Sequence, residues 1–202
     1  MFIHGKGGLV RITLVRHGRP VASSNPRVTA VGFAKWVRAY NRSFVCPDSL
    51  PPQELNEKLH NSYTFSSDLN RSLHSAEICL GKGADLVLGD LREMDIPRLK
   101  LPFSMSVNSW LVIARLCWFL GISGNSESYK AGRKRAITAV DLIITKACEH
   151  EDVAVFGHGI SNRLITKELK RRGWTVEYAS KGFWGRTELI NITKRSRRIH
   201  NA

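Results

Sequence analysis

The sequence predicts an α/β fold, a three-layer α/β/α sandwich with a mostly parallel central sheet. Short apolar runs typical of strands alternate along the chain with longer amphipathic segments typical of helices. Two of the apolar runs end at a histidine flanked by glycine, in the position where ligands bind in open α/β sheets. A chain of 202 residues is also long enough to bury one substantial core.

The expected strands are short and mostly apolar. The first, 11–15, runs directly into Arg16-His17-Gly18, where glycine permits a sharp turn. Further strands are expected over 63–65, 85–88, 153–156 and 187–192.

Apolar residues spaced three and four apart predict the helices between these strands. Thr29 is placed to cap the first helix, whose apolar positions include Phe33 and Tyr40. Asp68 or a neighbouring serine is expected to cap the next one. The proline-rich stretch 46–53 is expected to be a linker. The other helices are expected over 69–80, 107–120, from Ser126 onward and over 160–172.

The elements are expected to form one domain over 1–202, with its core at about 11–192. Residues 94–125 resemble a lid-forming insertion, which favours a small-molecule substrate. Residues 193–202 are expected to be a short basic tail.

The charge balance favours negatively charged partners. The chain has 31 Lys and Arg against 17 Asp and Glu, a formal net charge of +14. Such a chain attracts phosphorylated metabolites, nucleic acid or an anionic membrane surface, and charge alone does not choose among them.

The four cysteines lack any C-x-x-C spacing, so we expect buried free thiols and a reducing compartment. No signal-peptide pattern opens the sequence. The most apolar run, 110–120, is too short to span a bilayer. We therefore expect a cytoplasmic protein without membrane insertion.

Four residues at strand ends carry the candidate chemistry. His17 and His158 follow the strands at 11–15 and 153–156, Arg16 adjoins His17, and Arg71 comes just after a third strand. Arginine binds phosphate oxygens bidentately, and imidazole can attack phosphorus to form a phosphohistidine. Each residue alone is more often structural, so the prediction depends on their recurrence at equivalent positions.

These residues fall in segments that resemble, in the same order, the motifs of the histidine phosphatase superfamily, which has the phosphoglycerate mutase-like fold. The segments are Arg16-His17-Gly18, Thr29-Ala30-Val31-Gly32, Ser66-Ser67-Asp68-Leu69-Asn70-Arg71 and Phe156-Gly157-His158-Gly159. The later segments 158–165, 173–174 and 182–184 resemble a bacterial subgroup of mostly uncharacterised phosphatases.

The resemblance implies a role for each matched residue. His17 would be the nucleophile, and Arg16, Arg71 and His158 would bind and stabilise the transferring phosphoryl group. The backbone N–H of Gly159 would add a donor. The family needs no metal, and the sequence shows no metal-ligand cluster, so no cofactor is expected.

The family's general acid lies on a loop after the third strand. Glu93 is our choice for the residue that protonates the leaving oxygen and then activates water, with Asp95 as the alternative. The competing interpretation is that Glu93 only pairs with Arg92 or Arg98. Glu127, with Ser128, either lies near the active site or marks an ordinary helix start.

Residues 94–97 replace the Gly-x-Trp-Glu-Gly segment of the mutases, so hydrolysis is favoured over mutase activity. The predicted function is metal-independent hydrolysis of a small phosphorylated metabolite, with inorganic phosphate as product. A phosphoprotein phosphatase acting on phosphohistidine or phosphotyrosine is the alternative.

A nucleic-acid-binding protein is disfavoured, because no recognised nucleic-acid-binding motif accompanies the positive charge. The sequence does not predict the oligomeric state.

Overall fold

The computed structural model describes residues 8–193, so the basic tail at 194–202 lies outside the described residues. A six-stranded sheet has the order β4-β3-β6-β1-β8-β7. Its strands are β1 (Gly8–Arg16), β3 (Tyr63–Ser67), β4 (Leu86–Leu88), β6 (Asp152–Gly157), β7 (Thr175–Ala179) and β8 (Arg186–Thr193). A separate two-stranded sheet pairs β2 (Arg27–Val28) with β5 (Met105–Ser106). The helices are α1 (Ala30–Arg42), α2 (Gln53–Leu59), α3 (Asn70–Leu80), α4 (Val107–Phe119), α5 (Tyr129–His150) and α6 (Gly159–Arg171), with a 3-10 turn at Gly89–Leu91.

The central sheet is mostly parallel, as predicted. Strands β4, β3, β6 and β1 are parallel neighbours, and β8 and β7 add antiparallel pairings at the other edge. Arg16 pairs with Gly157 across β1 and β6, which places the residues after both strands at one edge of the sheet. The loops after these strands therefore meet.

Alternate residues of the strands pack against two helical layers, which gives the predicted three-layer sandwich. Ile12 and Leu14 contribute to one core with α5 and α6. Val15 and Phe156 contribute to a second core with α2 and α3. A third cluster joins α1 to α4 and includes Phe33 and Trp110.

Three local expectations need correction. The helix expected from Ser126 onward, α5, begins instead at Tyr129. Ser128 caps it, because the Ser128 hydroxyl accepts the Ala131 N–H. Neither Asp68 nor a neighbouring serine caps α3, because the N-cap residue is Leu69 and no side chain caps the helix; Arg92 binds the Asp68 carboxylate. Helix α2, which was not predicted, begins at Gln53, the last residue of the predicted linker.

The cysteine prediction is only partly right. All four thiols are free, but Cys79 is the buried one, while Cys46 and Cys117 are half-buried and Cys148 is exposed. Burial raises the pKa of Cys79 to about 12, which leaves this thiol protonated and inert.

Candidate active site

Strand pairing brings the two histidines together at the carboxyl edge of the sheet. The His17 N–H donates to the Gly157 carbonyl at 3.1 Å, which ties the end of β1 to the end of β6. The ring centroids of His17 and His158 are 5.1 Å apart, and both residues are buried. Two imidazoles distant in sequence therefore share one site.

Arg71 completes the buried centre from helix α3, which begins just after β3. Its Nε donates to Nε2 of His17 at 3.2 Å. The Ser75 hydroxyl, one turn along α3, accepts the Gly18 N–H at 2.9 Å and so holds the His17 loop against the helix. The position of the guanidinium relative to the imidazole is thus fixed by two contacts from one helix.

The hydrogen bonds of His17 define its tautomer. Nδ1 lies 2.7 Å from the Gly18 carbonyl oxygen, which can only accept, so Nδ1 carries the proton. Nε2 is then unprotonated, and its lone pair accepts the hydrogen bond from the Arg71 Nε. This is the protonation state that an attacking imidazole needs.

The electrostatic environment maintains the neutral form of both imidazoles. Burial is the main cause of the lowered pKa of His17, and the charges of Arg71 and Arg16 lower it further. Burial and the Arg71 charge likewise lower the pKa of His158. In the absence of a phosphoryl group both rings are therefore neutral near pH 7.

His158 has one nitrogen in use and one unused. Nε2 lies 3.0 Å from the Ser67 hydroxyl. Nδ1 is buried and has no hydrogen-bond partner among the described residues, and the same is true of the Arg16 Nε. Buried polar atoms without partners are costly, so unpaired groups on two residues of one site suggest a polar ligand.

Two aromatic side chains, which the sequence did not identify as part of the site, flank the arginines. The Arg16 guanidinium lies 4.6 Å from the Phe183 ring centroid, and that of Arg71 lies 4.8 Å from the Tyr40 ring centroid. Burial raises the pKa of the Tyr40 hydroxyl, and the charges of Arg71 and Arg16 oppose that rise. Such stacking restricts the guanidinium planes before any ligand arrives.

Glu93 lies at the N-terminus of α6, beside Arg16. Its carboxylate accepts the N–H groups of Ile160 and Ser161 at 3.1–3.2 Å. A Cβ placed on Gly159 would lie 3.8 Å from both the Glu93 Oε2 and the Arg16 Nε. The carboxylate and the predicted phosphate-binding groups therefore border the same space.

The other predicted neighbours are directed elsewhere. Arg92 binds Asp68 rather than Glu93. The Asp95 carboxylate accepts the Glu127 N–H at 3.4 Å, near the start of α5. Glu127 forms an ion pair with Arg135 at 2.7 Å and so belongs to that helix start.

Within residues 8–193, no group of three or more His, Cys, Asp or Glu side chains is arranged to hold a metal ion. Over the same range, every helix is too short or too polar to cross a bilayer.

Residues 52–195 match the sequence profile described as histidine phosphatase superfamily (branch 1). The match covers more than half of the chain and includes Arg71, Glu93 and His158, whereas His17 precedes it. A comparison with curated proteins gave no match.

Three solved structures illustrate the shared phosphoglycerate mutase-like fold. Phosphoglycerate mutase from Bacillus anthracis is 15% identical, with a TM-score of 0.55 and coverage of 92% of this chain and 89% of that chain. Phosphoserine phosphatase from Entamoeba histolytica is 15% identical, with a TM-score of 0.55 and coverage of 88% and 89%. The ecdysone phosphate phosphatase from Bombix mori is 12% identical, with a TM-score of 0.56 and coverage of 96% of each chain.

Proposed function

The chain belongs to branch 1 of the histidine phosphatase superfamily, and from this premise we propose that it is a phosphomonoester hydrolase that forms a phosphohistidine on His17. The observation that carries the proposal is the buried His17 Nε2, unprotonated and in contact with the Arg71 guanidinium. A neutral imidazole beside two arginines combines a nucleophile with the charge that a phosphoryl group needs.

The first half-reaction transfers the phosphoryl group to the enzyme. Arg16, Arg71, His158 and the Gly159 N–H bind its oxygens, and the dianion supplies the negative charge that favours a protonated His158. The His17 Nε2 attacks phosphorus while the bond to the leaving oxygen breaks. Glu93, protonated, donates a proton to that oxygen, which departs as an alcohol.

The second half-reaction releases phosphate. The Glu93 carboxylate takes a proton from water as the water oxygen attacks phosphorus and the bond to His17 Nε2 breaks. Inorganic phosphate leaves, and both residues return to their starting states. The arginines supply the charge stabilisation, so the proposed cycle requires no metal.

We expect the substrate to be a small phosphorylated metabolite. The segment 94–125 supports this, because Arg115 on α4 donates to the carbonyls of Met94 and Asp95 and so packs that segment beside Glu93. We expect this segment to cover the leaving-group side, which would favour compact substrates. The structurally similar phosphoserine phosphatase also acts, by its name, on a small molecule.

The test is hydrolysis of para-nitrophenyl phosphate in the presence of EDTA, by the wild type, His17→Ala and the control His60→Ala, which alters an exposed histidine at the end of α2. We expect turnover by the wild type and the control, and a loss of at least about 10³-fold in His17→Ala. Rapid quenching should trap an acid-labile phosphohistidine in the wild type. Full activity in His17→Ala would refute the proposal. Sugar phosphates, nucleotides and phosphopeptides then define the substrate class.

A further inference from the structure

Helix α4 has apolar residues on two faces. One face is buried and includes Trp110, Ala114 and Trp118. The other forms an exposed apolar stripe that continues past the end of the helix. The apolar stripe consists of Val112, Leu116, Phe119, Leu120 and Ile122, which are 52–79% exposed. Contiguous exposed apolar side chains are uncommon on a highly charged protein and mark an interaction surface.

A basic patch lies on the outer faces of α5 and α6. It consists of Lys130, Arg133, Lys134, Arg163, Lys167 and Lys170, all of them exposed. None of these six side chains has a carboxylate partner among the described residues. The nearby Glu168 is already neutralised by Arg171 and Arg172, so the patch retains its full positive charge.

The basic patch borders a cavity of about 310 Å³ between α5 and α6. Its charged lining residues are Arg133, Lys167, Lys170 and Arg171, together with Glu168, whose carboxylate is paired with Arg171 and Arg172. Tyr129 lines the same cavity and connects it to the apolar stripe, because its ring centroid lies 5.8 Å from that of Phe119. The apolar stripe and the basic patch are therefore one continuous surface.

We propose that this surface docks the protein on an anionic lipid bilayer. Apolar side chains of a surface helix enter the boundary between headgroups and acyl chains, while flanking cations bind the headgroups. With 13 residues, α4 can lie in the bilayer surface but cannot cross it. The cavity would hold a lipid phosphate among its cations.

Charge and chemistry favour a bilayer over nucleic acid or a second copy of this chain. Nucleic acid has no place for the aliphatic side chains of Leu116 and Leu120, since its interfaces with proteins are polar. A two-fold dimer through this face would bring the same cations of both copies together. A lipid surface satisfies the apolar stripe and the basic patch at once.

The test is co-sedimentation of the full chain with vesicles of phosphatidylcholine alone, or with about one-third phosphatidylglycerol. Lys130→Gln/Lys134→Gln is compared with the charge-matched control Lys35→Gln/Arg38→Gln, which alters exposed cations of α1. Each cation near the surface accounts for about fivefold in binding, so the patch variant should bind anionic vesicles about 25-fold more weakly. The control should stay within about twofold of the wild type.

Leu116→Ser/Leu120→Ser should also weaken binding, and every variant should still hydrolyse para-nitrophenyl phosphate at the wild-type rate. Phosphate release thus reports on the proposed function separately from docking. Docking is refuted if the wild type does not co-sediment with anionic vesicles, or if the patch and control variants bind these vesicles equally. It is also refuted if Lys130→Gln/Lys134→Gln weakens binding to duplex DNA but leaves vesicle binding unchanged. The same holds if Leu116→Ser/Leu120→Ser dissociates a dimer but leaves vesicle binding unchanged.

Discussion

Burial beside two guanidinium groups gives His17 a lower pKa than a free histidine has. Removing the Arg71 charge takes away the second-largest of the causes that lower it, so Arg71→Gln should raise the pKa of His17. Titration of the histidine ring protons by NMR measures this directly, whatever happens to activity. Arg38→Gln, on the outside of α1, serves as the control. An unchanged His17 titration in Arg71→Gln would contradict the assigned electrostatics.

The two lowered pKa values also predict how stability depends on pH. Unfolded histidines bind a proton near pH 6.5, whereas folded His17 and His158 bind it only at lower pH. The stabilisation is therefore complete above about pH 6.5 and is lost as the pH falls below it. Each histidine contributes a slope of up to about 1.4 kcal/mol per pH unit in the free energy of unfolding.

Denaturant unfolding at several pH values between about 5 and 7 tests this slope. The slope should be smaller in His158→Gln than in the wild type, while the exposed control His60→Gln should keep it. Equal slopes in all three proteins would show that His158 does not stay neutral on folding.

Substrates with different leaving groups can show whether Glu93 or Asp95 is the general acid. Glu93 borders Arg16 and Gly159, whereas Asp95 binds the Glu127 backbone. Glu93→Gln should lower kcat by about 10²–10⁴-fold for alkyl phosphates, and by less for para-nitrophenyl phosphate, whose leaving group needs little protonation. Asp95→Asn should change both substrates alike. The reverse pattern would assign the acid to Asp95.

At the residue scale, the sequence predicted which residues at strand ends the fold brings together in the candidate site. His17, His158 and Arg71 could be found because each follows a recognisable strand. Tyr40 and Phe183 could not, because they reach the arginines only through tertiary packing. Tyr40 lies on the same helical stripe as Phe33, and that pattern is typical of an ordinary core face.

Among the elements, the turn after β1 is closely packed against its neighbours. A Cβ on Gly18 would lie 2.6 Å from the Trp184 ring and 2.7 Å from Val45. Gly18→Ala should therefore destabilise the protein by about 1–3 kcal/mol and lower activity, since the same turn positions His17. Gly83→Ala, where a Cβ meets nothing within 4 Å, is the matched control. Equal free energies of unfolding for the two variants would contradict this.

Elements with a strong apolar pattern were easier to predict than short or exposed ones. The sequence predicted β1, β6 and α6 because apolar runs there are bounded by glycines. Helix α2 was missed because the prolines of 46–53 dominated that region, although Pro52 before Glu54 is a helix-start signal. Strand β7 was missed because it is a largely exposed edge strand.

For the whole molecule, the net charge of +14 predicts a salt effect on substrate capture. A positive field concentrates phosphate dianions near the surface, and salt screens it over about 10 Å at 0.1 M. Raising NaCl from about 0.02 to 0.5 M should increase KM for para-nitrophenyl phosphate several-fold with little change in kcat. Sucrose at matched osmolality is the control, and a salt-independent KM would argue against electrostatic capture.

The place of β1 in the sheet has a consequence for biosynthesis. β1 ends directly before His17, the proposed nucleophile, and lies between β6 and β8, which both come late in the chain. At about 5–20 residues per second, the ribosome needs roughly 10 to 35 s to travel from the end of β1 to the end of β8. Both edges of β1 lack their partner strands until β6 is made, and the edge that pairs with β8 lacks its partner until the interval ends. Unpaired strand edges are prone to aggregation. The nascent chain therefore needs protection while it is translated, and it gains a complete active site only near the end of its synthesis.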